Sequence, residues 1–213
     1  MKIISVALSL LFCLSICASA DPTAGTGLVP LPGKKVPALT TKKTVLMSTD
    51  KGDVTIEVYP EAAPNAAARF LELVESGFYN DTPIFRVVPK FVAQFGINWR
   101  EPHKEWKEDS FDDDPSLFAL DRGTLAFAKA GLNTNSTQVF INFANNNRLT
   151  APEHNFTAFA KVVKGMEVVD SFPAVGDPSM GRDQGKLWAN GESYLGSLRE
   201  KPAMIKTAVV VEE

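Results

Sequence analysis

From Thr44 to the C-terminus the chain keeps returning to short runs rich in Val, Ile, Phe and Thr, and this repetition restricts the fold more than any other feature. Eight such runs, at 45–49, 54–59, 84–88, 91–95, 124–128, 138–142, 157–163 and 204–211, are strand candidates. In the second, Val54, Ile56 and Val58 alternate with Thr55, Glu57 and Tyr59, the period of a strand with one buried face. Asp50-Lys51-Gly52-Asp53 before it reads as a hairpin turn. Two stretches read as helix. Pro64 suits a first helical turn, Phe70, Leu73 and Val74 recur at helical spacing, and Gly77 stops the run. A shorter helix covers about 165–172, with Met166, Val169 and Phe172 on one face. Many short strands with few helices imply a closed barrel or a sandwich whose open ends the helices cover.

The chain has 213 residues, 45% of them hydrophobic and 22% charged, which suits one sizeable core. A net charge of -3 supplies no basic field to hold nucleic acid. At the N-terminus Lys2 precedes an apolar stretch from Ile3 to Ile16, and Ala18-Ser19-Ala20 gives the small-x-small pattern of a signal-peptidase site. The apolar run is short for a membrane span of about 20 residues. Residues 1–20 therefore read as a cleaved signal peptide, and no span is expected in the mature chain. Cleavage after Ala20 removes Cys13 and Cys17, leaving an exported protein with no thiol to mispair.

Asn80-Asp81-Thr82, Asn135-Ser136-Thr137 and Asn155-Phe156-Thr157 match the glycosylation acceptor pattern. Two of them fall inside the candidate site below, where a glycan would obstruct binding. That favours a bacterial periplasm over a eukaryotic secretory route or lumen. Residues 21–43 hold Pro22, Pro30, Pro32 and Pro37 with Gly25, Gly27 and Gly33, and read as an extended leader or tether to a domain over 44–213.

Several chemistries fail on spacing. Gly181-Arg182-Asp183-Gln184-Gly185-Lys186 is one residue short of a phosphate loop, and Leu187 stands where Ser or Thr belongs. No Gly-x-Ser-x-Gly nucleophile elbow is present. His103 and His154 have no second ligand at metal spacing. The acidic run Glu105, Glu108, Asp109, Asp112, Asp113, Asp114 lacks the alternating oxygens and central Gly of a calcium loop and reads as solvated. No metal and no cofactor is expected.

Three stretches carry a positive signal: Ile84 to Gly96, IFRVVPKFVAQFG; Gly123 to Ile141, GTLAFAKAGLNTNSTQVFI; and Phe159 to Val169, FAKVVKGMEVV. Together they closely resemble the cyclophilins, peptidyl-prolyl cis–trans isomerases, in the style of bacterial periplasmic members. The resemblance extends over about residues 44–211. It implies an all-β fold, a closed eight-stranded antiparallel barrel capped by two α-helices, and a catalyst of X–Pro isomerisation without a cofactor. Its partners would be proline-containing unfolded or flexible polypeptides, with a monomer as the default state. A weakly active or inactive binding module or chaperone for the same segments is the alternative.

Carried over residue by residue, the resemblance puts the catalytic arginine at Arg86. It puts the proline-pocket lining at Phe91, Phe140 and Leu149, and the groups binding substrate backbone at Gln94 and Gln138. Ala128 and Ala130 fall on the wall beside the residue preceding proline. Taken singly, each has an ordinary structural role; only the combined spacing points to a site. The chain departs from the family pattern at several of these places. Val92 replaces the usual Met, Lys129 stands where many members have Asn, Val139 replaces the first Phe of an aromatic pair, and Ile97 and Phe85 replace an acidic residue and a His. Aligning Leu149 with the family's Leu puts Arg148 at the Trp of eukaryotic members, a substrate-binding position at the pocket rim where an Arg should weaken cyclosporin binding. Phe156 then takes the usual His or Tyr position, and a shifted loop would place His154 there instead.

Overall fold

The computed structural model describes residues 23–176 and 184–211, so the signal segment expected at 1–20 lies outside the described residues. Nine strands form one antiparallel sheet. They are β1 (Lys43–Thr49), β2 (Gly52–Val58), β3 (Thr82–Pro83), β4 (Arg86–Val88), β5 (Val92–Phe95), β6 (Thr124–Phe127), β7 (Val139–Asn142), β8 (Ala160–Lys164) and β9 (Met204–Val211). Their order across the sheet is β3-β9-β1-β2-β8-β6-β7-β5-β4. The two outermost strands are consecutive in the chain, with only Ile84 and Phe85 between Pro83 and Arg86. Three residue steps span at most about 11 Å, so the sheet has to curl until its edges approach.

Two features differ from the expected closed eight-stranded barrel. Each expected strand has its counterpart, and the ninth, β3, pairs Thr82 with Ile205 and Pro83 with Met204. Two residues carry no periodicity, and a proline there argues against a strand interior, so β3 is silent in the sequence. Nor does a ladder join β3 to β4 among the described residues; the chain itself connects the edges. Helices α1 (Pro64–Glu75) and α2 (Met166–Asp170) occupy the two expected stretches. A third helix, α3 (Gln184–Ser197), was not expected. Gly185, Gly191, Gly196 and a break at Asn190 weaken its local signal, and packing of Leu187 and Trp188 holds it in place.

Strand alternation sorts side chains between two cores. Val87, Ala93, Phe95, Leu125, Phe127, Val139 and Ile141 join the main core with Phe70 and Leu73 of α1. The intervening Val92, Ala126 and Phe140 join a second, smaller core with Tyr59 and Phe118. Strands β5, β6 and β7 are thus buried on both faces, which explains why their mostly apolar sequences show no strict alternation.

The Pro/Gly-rich segment is laid along the domain from Thr23 on. Ala119 N–H donates to the Val29 carbonyl and Leu31 N–H to the Leu117 carbonyl. Lys161 Nζ donates to the Gly27 carbonyl, and the Thr40 and Thr41 hydroxyls donate to Glu61. Leu28, 2% exposed, belongs to the second core, with Val36 and Leu39 packed against it. Replacing Leu28 with Ala is therefore expected to cost about 3 kcal/mol in urea unfolding. A segment that merely tethered the domain would tolerate the change within about 0.5 kcal/mol.

The acidic run is solvated only in part. Asp114 is buried, and its carboxylate accepts from the Asn65 and Ala66 N–H groups at 3.2 and 2.9 Å, capping α1 from a distant loop. Ala63, the residue before that helix, offers no side-chain cap. Burial raises the Asp114 pKa, against the lowering effect of those two backbone donors.

Candidate active site

Register brings the candidate residues into one row on the sheet's outer face. Arg86 pairs with Gln94, Gln94 with Phe140, and Phe140 with Ala126. By strand period, Val92, Gln138 and Ala128 share that face. Above the row lies a cavity of about 710 Å³, within the usual range for ligand sites.

The cavity gathers Arg86, Phe91, Val92, Gln94, Ala128, Lys129, Ala130, Gln138, Phe140, Leu149 and Phe156. Phe156 meets Phe140 edge-on with ring centroids 5.7 Å apart, and its N–H donates to the Leu149 carbonyl. His154, the alternative for that position, is exposed and lines the cavity as well. Arg148 stands at the rim and not among the residues lining the wall. It is exposed on the turn at 147–150, where its guanidinium lies 5.1 Å from the centroid of the Phe91 ring. Stacking there keeps the charge in water, whereas turning inward would desolvate it.

Arg86 is 4% exposed and its guanidinium lies 5.8 Å from the Phe91 centroid. Arg86 Nη1 donates to Gln94 Oε1 at 3.0 Å, Gln94 Nε2 to Gln138 Oε1 at 2.9 Å, and Gln138 Nε2 to Gln184 Oε1 at 3.0 Å. An arginine can only donate, so it fixes the Gln94 oxygen toward itself and hence the sense of every amide along the chain. Behind it stands Gly176, at φ +81, where a Cβ would sit 2.4 Å from the Phe85 carbonyl oxygen and 3.0 Å from Arg86 Cα. Only glycine allows the segment after α2 to press against the Arg86 backbone so closely.

Lys129 lines the cavity, but its ammonium is committed to the protein. Its side chain is 2% exposed, with Nζ 2.5 Å from Asp113 Oδ2, whose own side chain is 6% exposed. Nζ also donates to the Asn155 carbonyl at 3.1 Å and lies 5.3 Å from the Phe156 centroid. Burial pushes the Asp113 carboxyl up, but Lys129, the Asn133 backbone and Asn135 together hold it below its ordinary value. Asn135, one of the acceptor-pattern asparagines, is buried and donates to Asp113.

Other contributors escaped the sequence reading. Asn146 Nδ2 donates to the Phe91 carbonyl and to Asn142 Oδ1, and Asn142 Nδ2 donates to the Thr124 carbonyl, so buried amides fix the loop carrying Leu149. The run Asn145-Asn146-Asn147 beside Leu149 was the available signal. Lys107, Thr134, Ser136, Gln184, Gly185 and Trp188 form the far side of the cavity. Thr134 and Ser136 lie within the stretch 123–141 but carry no role there, and Lys107, Gln184, Gly185 and Trp188 lie outside all three stretches.

An apolar lobe beside a buried arginine and a polarised row of amides is a site for a neutral group with a strong local dipole. Comparison with known proteins identifies the family. The family model described as "Cyclophilin type peptidyl-prolyl cis-trans isomerase/CLD" matches residues 44–184. A peptidyl-prolyl cis-trans isomerase of Acinetobacter baylyi is 37% identical over 146 residues, covering 66% of this chain and 77% of that protein. Peptidyl-prolyl cis-trans isomerase A of Dickeya dadantii is 31% identical over 184 residues, covering 83% and 88%. A solved cyclophilin-type isomerase of Cryptosporidium parvum superposes with a TM-score of 0.60 at 24% identity, covering 81% of this chain and 99% of that one, and supports the fold. A second structure of it, in the presence of the dipeptide Ala-Pro, gives 0.57 at 25% identity, covering 80% and 99%. The chain belongs to the cyclophilin-type peptidyl-prolyl cis–trans isomerases.

Proposed function

We propose that the chain accelerates X–Pro isomerisation in exported proteins, binding the proline ring in the lobe formed by Phe91, Val92, Phe140, Leu149 and Phe156 and stabilising the twisted amide with Arg86. The observation that carries this reading is the buried guanidinium held by Gln94 at the edge of an apolar lobe. Amide rotation faces a barrier of about 18–20 kcal/mol from the partial double bond. The two X–Pro isomers differ little in energy yet exchange in tens to hundreds of seconds. In the twisted state resonance is lost and the proline nitrogen regains its lone pair, so a donor aimed there binds the transition state and neither ground state. A roughly thousandfold acceleration takes about 4 kcal/mol, within reach of one preorganised charged donor in a dry site.

The exported compartment, a periplasm in this reading, rests on the N-terminal signal pattern and the loss of both cysteines with it. The mature chain acts as a monomer on flexible, proline-containing segments and releases them quickly. Cyclosporin would bind weakly, because the stack of Arg148 on Phe91 places a hydrated charge at the mouth. The test is NMR exchange spectroscopy of a short X–Pro peptide with residues 21–213. Exchange in tens of milliseconds supports catalysis. Folded protein that binds the peptide but leaves exchange at its spontaneous rate would establish the alternative, a binding module.

A further inference from the structure

The side of the cavity opposite the apolar lobe is built by α3, of which all but the first residue lies beyond the stretch matched by the family model. This helix is firmly seated. Leu187 and Trp188 are buried in the main core, Gly191 lies so close to Trp99 that a Cβ would meet the ring at 2.0 Å, and Glu192 pairs with Arg100 at 2.8 Å. Its first residue, Gln184, is thereby held at the cavity wall.

The amide chain starting at the obligate donor Arg86 fixes the polarity of that residue. Gln138 spends its oxygen on Gln94 and its nitrogen on Gln184 Oε1, which leaves the Gln184 carboxamide nitrogen as the terminal donor of the chain. Charge around the cavity has the same sense. Lys129 spends its charge on Asp113, which leaves Lys107 as an exposed cation of the lining, and no carboxylate lines the cavity among the described residues. Lys107 lines the cavity and is exposed, with Glu108, at 82% side-chain exposure, 3.1 Å from its ammonium. A donor terminus and an exposed ammonium lining one cavity, with no carboxylate among its described lining residues, suit a carboxylate oxygen.

The geometry points to α3 as an accessory subsite in which Gln184, with Lys107, selects peptides carrying an acidic residue next to the X–Pro pair. This rests on the isomerase reading and specifies its substrates. The test compares full-length mature protein with its Gln184→Leu and Gln184→Glu variants on matched peptides that carry Glu or Lys beside X–Pro. Both kcat/KM and the dissociation constant from calorimetry are read. Wild type is expected to favour the Glu peptide over the Lys peptide by about five- to tenfold, falling as salt is raised. Gln184→Leu should bring the ratio to about twofold or less. Gln184→Glu keeps an acceptor for Gln138 while removing the donor and adding a negative charge, so it should reverse the preference. A general disturbance of α3 would weaken both peptides equally and leave the ratio untouched, which overturns the proposal. So would a wild type that treats the two peptides alike. Preference in binding without any acceleration would instead overturn the isomerase reading and leave the subsite standing.

Discussion

Replacing Arg86 with alanine is expected to lower kcat/KM for an X–Pro peptide by about 100- to 1,000-fold, the range for losing one preorganised donor in a dry site. The guanidinium is 4% exposed and fixed by Gln94 at 3.0 Å, so little reorganisation is needed when the amide twists. Peptide affinity should change much less, because the apolar lobe of Phe91, Phe140 and Leu149 holds the ring in every state. Arg86→Lys keeps the charge but loses the planar fork that reaches Gln94 and substrate together, and should recover only part of the rate. Exchange rates by NMR and affinities by calorimetry separate the two effects. A loss below about tenfold, or a fall in affinity that matches the fall in rate, would remove Arg86 from the chemical step.

Legibility followed the physics of each feature. The strands from β4 to β7 were readable because both faces are buried, giving runs such as Val139 to Ile141 that no loop would carry. The same double burial hid which face was which. By composition Phe140 is an ordinary core residue, and only register with Gln94 and Ala126 places it on the outer face, in the second core beneath the cavity. Local signals failed where distant contacts decide. Asp114 caps a helix that begins fifty residues earlier in the chain, and Leu28 is buried in a core it shares with Phe118 and Tyr59. The helix α3 has a broken, glycine-rich pattern and exists because Leu187 and Trp188 are covered by the main core. Arg148 stays at the rim because a charged side chain with an aromatic face and solvent within reach has no reason to enter the cavity.

Lys129 supplies the second large effect, and it concerns stability. Its ammonium and the Asp113 carboxylate lie 2.5 Å apart with side chains 2% and 6% exposed. Removing one partner of such a pair leaves the other charge buried and uncompensated, so Lys129→Met should cost about 3–5 kcal/mol at neutral pH. The double variant Lys129→Met with Asp113→Asn removes both charges and keeps an oxygen to accept from Asn135, and should recover most of that loss. Acid provides an independent check. The Asp113 pKa is lowered from 3.8 in the folded state, so the folded protein releases this proton more readily than the unfolded chain does. Its contribution to stability is then fully present above pH 3.8 and is lost as pH falls through the lower folded value. The double variant should lack that component of acid unfolding. Urea midpoints at pH 7 and pH 3 measure both effects. A Lys129→Met variant as stable as the double one would mean that the Asp113 carboxylate needs no compensation from Lys129. The ion pair would then have no part in holding Phe156 against the cavity through the Asn155 carbonyl.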